Sequence, residues 1–151
     1  MRTDPLVNFD LKFNTIGSTT NGKKGPSDEI MLGESYSSVL DEIRKHKSKA
    51  SSTYYYRYFS NYFNAMYASI REVRRVLKPN SNAVLVVQDS YYKDVHIDLP
   101  SIISDIGEEV GFDGSVFPLH VDRNPLSGIH KHVKKYRPSS KATESMVVLS
   151  T

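Results

Sequence analysis

The chain contains neither cysteine nor tryptophan. Without thiols it can form no disulfide and no thiolate metal site, a composition compatible with a reducing compartment. It also lacks any run of about 18 apolar residues of the kind that crosses a membrane as a helix. The opening "MRTDPLVNFD" has no apolar stretch like that of a signal peptide. A cytoplasmic protein with no membrane partner is therefore expected. Several catalytic patterns are missing too. "NGKKG" has neither the spacing nor the final Ser/Thr of a phosphate-binding loop, and no GxGxxG follows a strand. No GxSxG elbow occurs, and no pair of carboxylates is spaced so as to stand out as an acid and a base. His130 and His132 lie two apart in a basic segment without nearby carboxylates, which points to solvent or phosphate contact and away from a metal site. No catalytic residue is assigned in this chain, which reads as incomplete if it were to act as a catalyst alone.

What is present suits one folded domain. The 151 residues suffice for a single core, and 38% hydrophobic with 25% charged residues is the balance of a soluble folded protein. The net charge of +3 is modest but uneven. Lys131, Lys134, Lys135, Arg137 and Lys141 fall within residues 124–143, a stretch with no acid. Such a block suits a polyanion, and it equally suits a solvated basic loop.

Residues 1–34 read as an N-terminal arm, short apolar pieces ("LVNFDLKF") followed by the loop-like "GSTTNGKKGPSD". Residues 35–151 form the folded part. Tyr36, Val39, Leu40 and Ile43 predict a helix over 35–50, with basic residues gathering at its C-terminal end. Phe59, Phe63, Met66, Ile70, Val73 and Leu77 recur at spacings of four and three, which predicts a long amphipathic helix ending at Lys78 before Pro79. "AVLVVQ", residues 83–88, is apolar almost throughout, the signature of a parallel-sheet strand covered on both faces. Asp98 as N-cap, Pro100 early, the stripe Leu99, Ile102, Ile103, Ile106 and Val110, and Gly111 as the stop predict another helix. "GSVFPLHV" reads as a strand whose Pro118 suits an edge or a bulge, and "ESMVVLS" as a last short strand. The order suits the C-terminal part of an α/β sandwich, its final two strands pairing antiparallel.

Ligands of open α/β sheets bind beyond the carboxyl ends of strands, so Gln88, Asp89 and Ser90 are site candidates. Asp and Ser also favour turns, and on the residues alone a simple change of chain direction is the preferred reading. Tyr54, Tyr55, Tyr56, Arg57 and Tyr58 offer rings and a cation for stacking on unpaired bases, with packing at the helix entry preferred.

"YFNAMYASIREVRRVLKPNSNAVLVVQDS", followed by "IDLPSIISDIGEEVGF", a further strand and a terminal "ESMVVL", resembles the C-terminal half of S-adenosylmethionine-dependent DNA methyltransferases that modify exocyclic amino groups. The likeness covers residues 30 to 150 approximately. In that family a helix ending in a "VLKPGG"-like turn leads into a strand near the target-base pocket; here the turn is "VLKPNS" and the strand closes on Gln88-Asp89-Ser90. Asn80 and Ser81 stand in the place of glycines, and Asn tolerates turn conformations. Two family motifs are absent: the glycine-rich cofactor loop and the catalytic (Asp/Asn/Ser)-Pro-Pro-aromatic. The chain has no Pro-Pro pair, and Asp4-Pro5-Leu6 has only the acid and one proline.

The resemblance implies a partial Rossmann-like methyltransferase sandwich, with a parallel strand flanked by helices and a final antiparallel strand. It implies part of a site-specific DNA methyltransferase acting on an adenine or cytosine amino group. Gln88, Asp89 and Ser90 would wall the target-base pocket, and His130, Lys131, His132, Lys134, Lys135, Arg137 and Lys141 would contact DNA. S-adenosylmethionine would bind only once a second half or partner completes the site. An N-terminal methyltransferase half or a homodimer is the expected partner, because "AVLVVQ" in an incomplete sheet exposes an edge and a face. A non-catalytic nucleic-acid-binding or assembly protein derived from the same fold is the alternative. A half-enzyme for a small molecule or RNA also accounts for the helix-turn-strand unit.

Overall fold

The computed structural model describes residues 16–17, 33–119 and 144–151. The predicted arm and Asp4-Pro5-Leu6 lie almost entirely outside them, as does the whole basic segment from His130 to Lys141. The described chain is mixed α/β. Helix α1 (Glu34–Lys45) buries Tyr36, Val39, Leu40 and Ile43, the stripe read from the sequence. It ends five residues before the predicted boundary, because His46 turns to extended backbone and Ala50 takes a left-handed conformation (φ 64°). A π-helical turn, Ser51–Tyr55, then feeds α2 (Tyr56–Val76). Phe63 and Ile70 of α2 are buried, and Phe59, Met66 and Leu77 pack partly against the core, whereas Val73 of the same stripe is 38% exposed. The helix stops at Val76, two residues short of Lys78, with Leu77 already extended ahead of Pro79. Asn80 takes the left-handed conformation (φ 59°) expected of a turn asparagine.

Three strands follow the order β1 (Asn82–Gln88), β5 (Glu144–Ser150), β4 (Asp113–Leu119), and both pairings are antiparallel. The last strand of the chain is thus the middle of the sheet, pairing with β4 as expected and also with β1. β1 and β4 consequently run the same way without pairing to each other. A parallel sheet with helices on both faces is not what the described residues form. β1 alternates between half-buried and exposed along its length, with Val84 at 56% and Val86 at 65% exposure. Helix α3 (Leu99–Val110) covers one face, where Val147 and Leu149 are fully buried against Ile102, Ile103 and Ile106. The apolar run misled because valine and leucine occupy both faces of β1, erasing in composition the period of two that survives in burial.

Local signals around α3 are realised as read. Asp98 caps it, its carboxylate accepting from Ser101 N (3.2 Å) and Ser101 Oγ (2.8 Å), Pro100 lies in the first turn, and Gly111 ends it at φ 94°. α3 lies so close to the sheet that a Cβ on Gly107 would come within 2.5 Å of Leu149 Cδ2. Between β1 and α3, where the sequence pattern predicts no element, the chain makes a hairpin, β2 (Ser90–Tyr92) with β3 (Val95–Ile97), turning at Lys93 (φ 58°). A polar network ties this hairpin to the turn after α1. Ser48 N–H donates to His46 Nδ1 (3.1 Å), which leaves His46 Nε2–H to donate to Asp94 Oδ1 (2.7 Å). Tyr92 OH meets both Ser48 Oγ (2.8 Å) and the buried Ser51 Oγ (2.6 Å). No helix among the described residues is long and apolar enough to cross a membrane.

Candidate functional site

β1 carries its last residues to the N-terminal half of α2, and the hairpin holds them there. Tyr55 and Phe59 of α2 pack on the buried Tyr92 ring (centroids 4.8 and 5.8 Å), which is the helix-entry packing expected of this aromatic run. Between α2 and the end of β1 remains a cleft of about 300 Å³, lined by Tyr58, Phe59, Tyr62 and Phe63 on one side and Gln88, Asp89 and Ser90 on the other. Ile97 and Leu99 complete the lining. The three residues chosen from the sequence therefore come together at one wall of a cavity. The basic residues His130, Lys131, His132, Lys134, Lys135, Arg137 and Lys141 lie outside the described residues.

The two walls differ chemically. Gln88, Asp89 and Ser90 offer an amide that donates and accepts, a carboxylate that accepts, and a hydroxyl that does both. Asp89 is held by His96 from across the hairpin, with Nε2 to Oδ2 at 3.1 Å. Its other oxygen has no hydrogen-bond partner among the described residues. The opposite wall is aromatic. Tyr62 meets Phe63 edge to face at 5.2 Å, and the Tyr58 hydroxyl donates to the Gly17 carbonyl (3.1 Å). Burial raises the pKa of both Tyr58 and Tyr62, and each is raised further by a neighbouring tyrosine, Tyr54 for the first and Tyr58 for the second. Both remain neutral hydroxyls at physiological pH.

A volume of this size lies at the lower end of small-molecule sites. Rings on one side and a short polar edge on the other suit a flat heterocycle that stacks and is read along one edge. His96 and Tyr62 were not singled out from the sequence as site residues. His96 carries a signal only once the two-residue turn at Lys93-Asp94 is recognised, since that turn brings position 96 back beside position 89. Tyr62 lies four residues beyond Tyr58, one helical turn along the same face.

No glycine-rich loop of the kind that holds S-adenosylmethionine occurs among the described residues. Gly107 and Gly114 are taken up in helix-to-sheet packing, where a Cβ would strike Leu149 and Ser104 respectively. Gly33 precedes α1 and packs against Asp105, and Gly111 ends α3, so these four cradle nothing in the cleft. No group of three or more metal-ligating side chains occurs among the described residues. No family model matches the chain, and neither a curated protein nor a solved structure matches it.

Proposed function

We propose that this chain forms the target-base wall of a DNA amino-methyltransferase. The observation that carries the proposal is the meeting of Gln88, Asp89 and Ser90 with Tyr58 and Tyr62 across a cleft sized for one planar ring system. A base must leave the duplex stack before its amino nitrogen can be modified, and flipped bases are held by stacking and by hydrogen bonds along one edge. In this arrangement a base stacks on the tyrosine wall and its exocyclic amino group donates to the open Asp89 oxygen, while Gln88 and Ser90 meet the ring nitrogens and carbonyls. His96 acts through Asp89 as a positioning residue.

The fold supports this reading only coarsely, through a mixed α/β chain whose final strand is antiparallel; the Rossmann-like parallel layer would need strands beyond those described. Methyl transfer from S-adenosylmethionine is assigned to none of the described residues, because no glycine-rich cofactor loop occurs among them. That chemistry belongs to a companion segment or chain. The motifs missing from the sequence favour a second reading, a nucleic-acid-binding protein of this fold that performs no transfer.

Adenosine and cytidine added to the 151-residue chain, followed by NMR shift perturbation, test the cleft. The expected result is movement of the Gln88, Asp89, Ser90, Tyr58 and Tyr62 signals, weakened roughly tenfold or more in Asp89→Ala, as when a charged hydrogen-bond acceptor is removed. Shifts of equal size and affinity in Asp89→Ala and Ser90→Ala would overturn the assignment. Calorimetric titration of S-adenosylmethionine then separates the two readings. Binding by the chain alone would put the cofactor site within this chain, and binding only with an added partner supports the transferase completed by a second half.

A further inference from the structure

The approach to the cleft is lined by aromatic rings. Tyr54, Tyr58 and Tyr62 follow one another at four-residue steps through the π-helical turn and α2, so they form a stripe along one face. The Tyr54 and Tyr58 rings are nearly parallel, at 16° with centroids 6.5 Å apart, and Tyr58 and Tyr62 both line the cleft. Gly17 crosses the inner end of the stripe and brings no side chain over it; a Cβ placed there would lie 3.7 Å from Tyr62 Cε2.

Just upstream the chain is basic. Between Glu42 and Glu72 there is no acid, while Arg44, Lys45, Lys47, Lys49 and Arg57 all precede or enter the stripe. Their environments differ. Lys45 pairs with Asp41, the Arg44 guanidinium lies over the Tyr56 ring at 5.6 Å, and Arg57 Nε donates to Thr53 O at 3.3 Å. Asp94 faces the turn and is bonded to His46, with Lys47 adding a weaker attraction. Lys47 and Lys49 are exposed. They sit on the turn that leads directly into Tyr54, and Asp41, Glu42 and Asp94 leave the patch positive by two charges when set against the five cations. Rings in a row next to exposed cations are how proteins hold a single strand without reading its sequence.

We propose that the basic turn at residues 44–49 and the stripe Tyr54, Tyr58 and Tyr62 form a track for unpaired single-stranded DNA, leading one base into the cleft. Lys47 and Lys49 take phosphates, Tyr54 and the rim side of Tyr58 take the bases flanking the target, and Tyr62 lies at the end of the track. The destination of that base rests on the cleft reading above; the grip on the strand does not.

Fluorescence anisotropy of an end-labelled, unstructured DNA strand of about twelve nucleotides, a length within the range of known single-strand sites, tests the track on the full chain. The wild type is expected to bind the single strand more tightly than a duplex of the same length, with affinity falling as salt rises. Replacing both Lys47 and Lys49 by Ala is expected to flatten the logarithmic salt slope by about 1.4, at about 0.7 per phosphate contact on a single strand. Tyr54→Leu keeps apolar bulk and is expected to weaken strand binding roughly tenfold, while leaving adenosine and cytidine shifts at Gln88 and Asp89 unchanged. Strand binding unaffected by the lysine and Tyr54 substitutions would overturn the track, as would duplex binding of equal strength; nucleoside shifts lost in Asp89→Ala would then still support the cleft. Tighter binding of an RNA strand of the same sequence would overturn the assignment to DNA. Strand binding sensitive to Tyr54 but without any nucleoside response would uphold the track and remove the cleft as its end point.

Discussion

The two faces of the three-stranded sheet are built from the same kinds of residue and have opposite fates. On one face Val147 and Leu149 of the central strand are fully buried beneath Ile102, Ile103 and Ile106 of α3. On the other, the pairings place Val84 beside Val148, and Val86 beside Met146 and then Phe117, and three of these stand open: Val84 at 56%, Val86 at 65% and Phe117 at 49%. Hydrophobicity therefore does not decide which face is core. A covering helix does, and α3 reaches one side because Gly107 lets it approach β5 closely. An apolar face of this kind, coming from both edge strands and the centre, is what soluble chains seldom expose without a partner.

The largest effect expected from this contrast is on the covered face. Ile106→Ala removes a fully buried side chain from between α3 and the sheet and is expected to destabilise by about 2–5 kcal/mol. Val86→Thr on the open face is expected to change stability by less than about 0.5 kcal/mol. Urea unfolding of both variants measures the difference, and equal losses would mean that the open face is covered in solution. Next in size is Gly107→Ala. Its added methyl collides with Leu149, and overpacking of this sort costs about 1–3 kcal/mol. Leu149→Val in the same chain is expected to recover part of that loss, since the clash is with a side-chain methyl and not with backbone.

How far such contrasts could be read in advance depended on whether the signal was local. Asp98, Pro100 and Gly111 fixed both ends of α3 because a cap, an early proline and a left-handed glycine act on their own few residues. The stripe of α1 was legible for the same reason. Strand order was not, since the insertion of β5 between β1 and β4 brings β5 against β1 residues more than fifty positions away and leaves no mark on either segment. Gln88, Asp89 and Ser90 line a cleft, although the end-of-strand argument that singles them out assumes a parallel sheet that the described residues do not form. The aromatic wall facing them required the tertiary meeting of α2 with that strand end, so Tyr58 remained ambiguous and the Asp89–His96 pair went unseen.

A smaller and concentration-dependent effect concerns association. If the open face meets a second copy or another chain, light scattering of the wild type gives a mass above the 17.1 kDa of one chain, falling to that value when Val84 and Val86 are both replaced by Lys. A wild type that stays at one chain's mass at micromolar concentration would mean that a segment of the same chain covers the face. Neither substitution touches the cleft, so nucleoside shifts at Gln88 and Asp89 are expected to persist in the lysine variant.

The smallest effect sets the cleft apart from both faces, because its wall can titrate. Tyr58 and Tyr62 hold their protons more tightly than free tyrosine, first through burial and then through the neighbouring phenols. Their folded pKa values lie above the unfolded value near 10, so the stability they contribute is fully present below that pH. It is lost as pH rises through the raised values, where the unfolded chain has already ionised and the folded chain resists. The expected observation is a phenolate absorbance titration in which Tyr58 and Tyr62 ionise above the value of free tyrosine. Tyr62→Phe removes one late step and makes the loss of stability above pH 10 shallower, without altering the unfolding of Ile106→Ala relative to its own background at neutral pH. Ionisation of all ten tyrosines in a single step would place Tyr58 and Tyr62 in open solvent, and would remove the aromatic wall on which the base is proposed to stack.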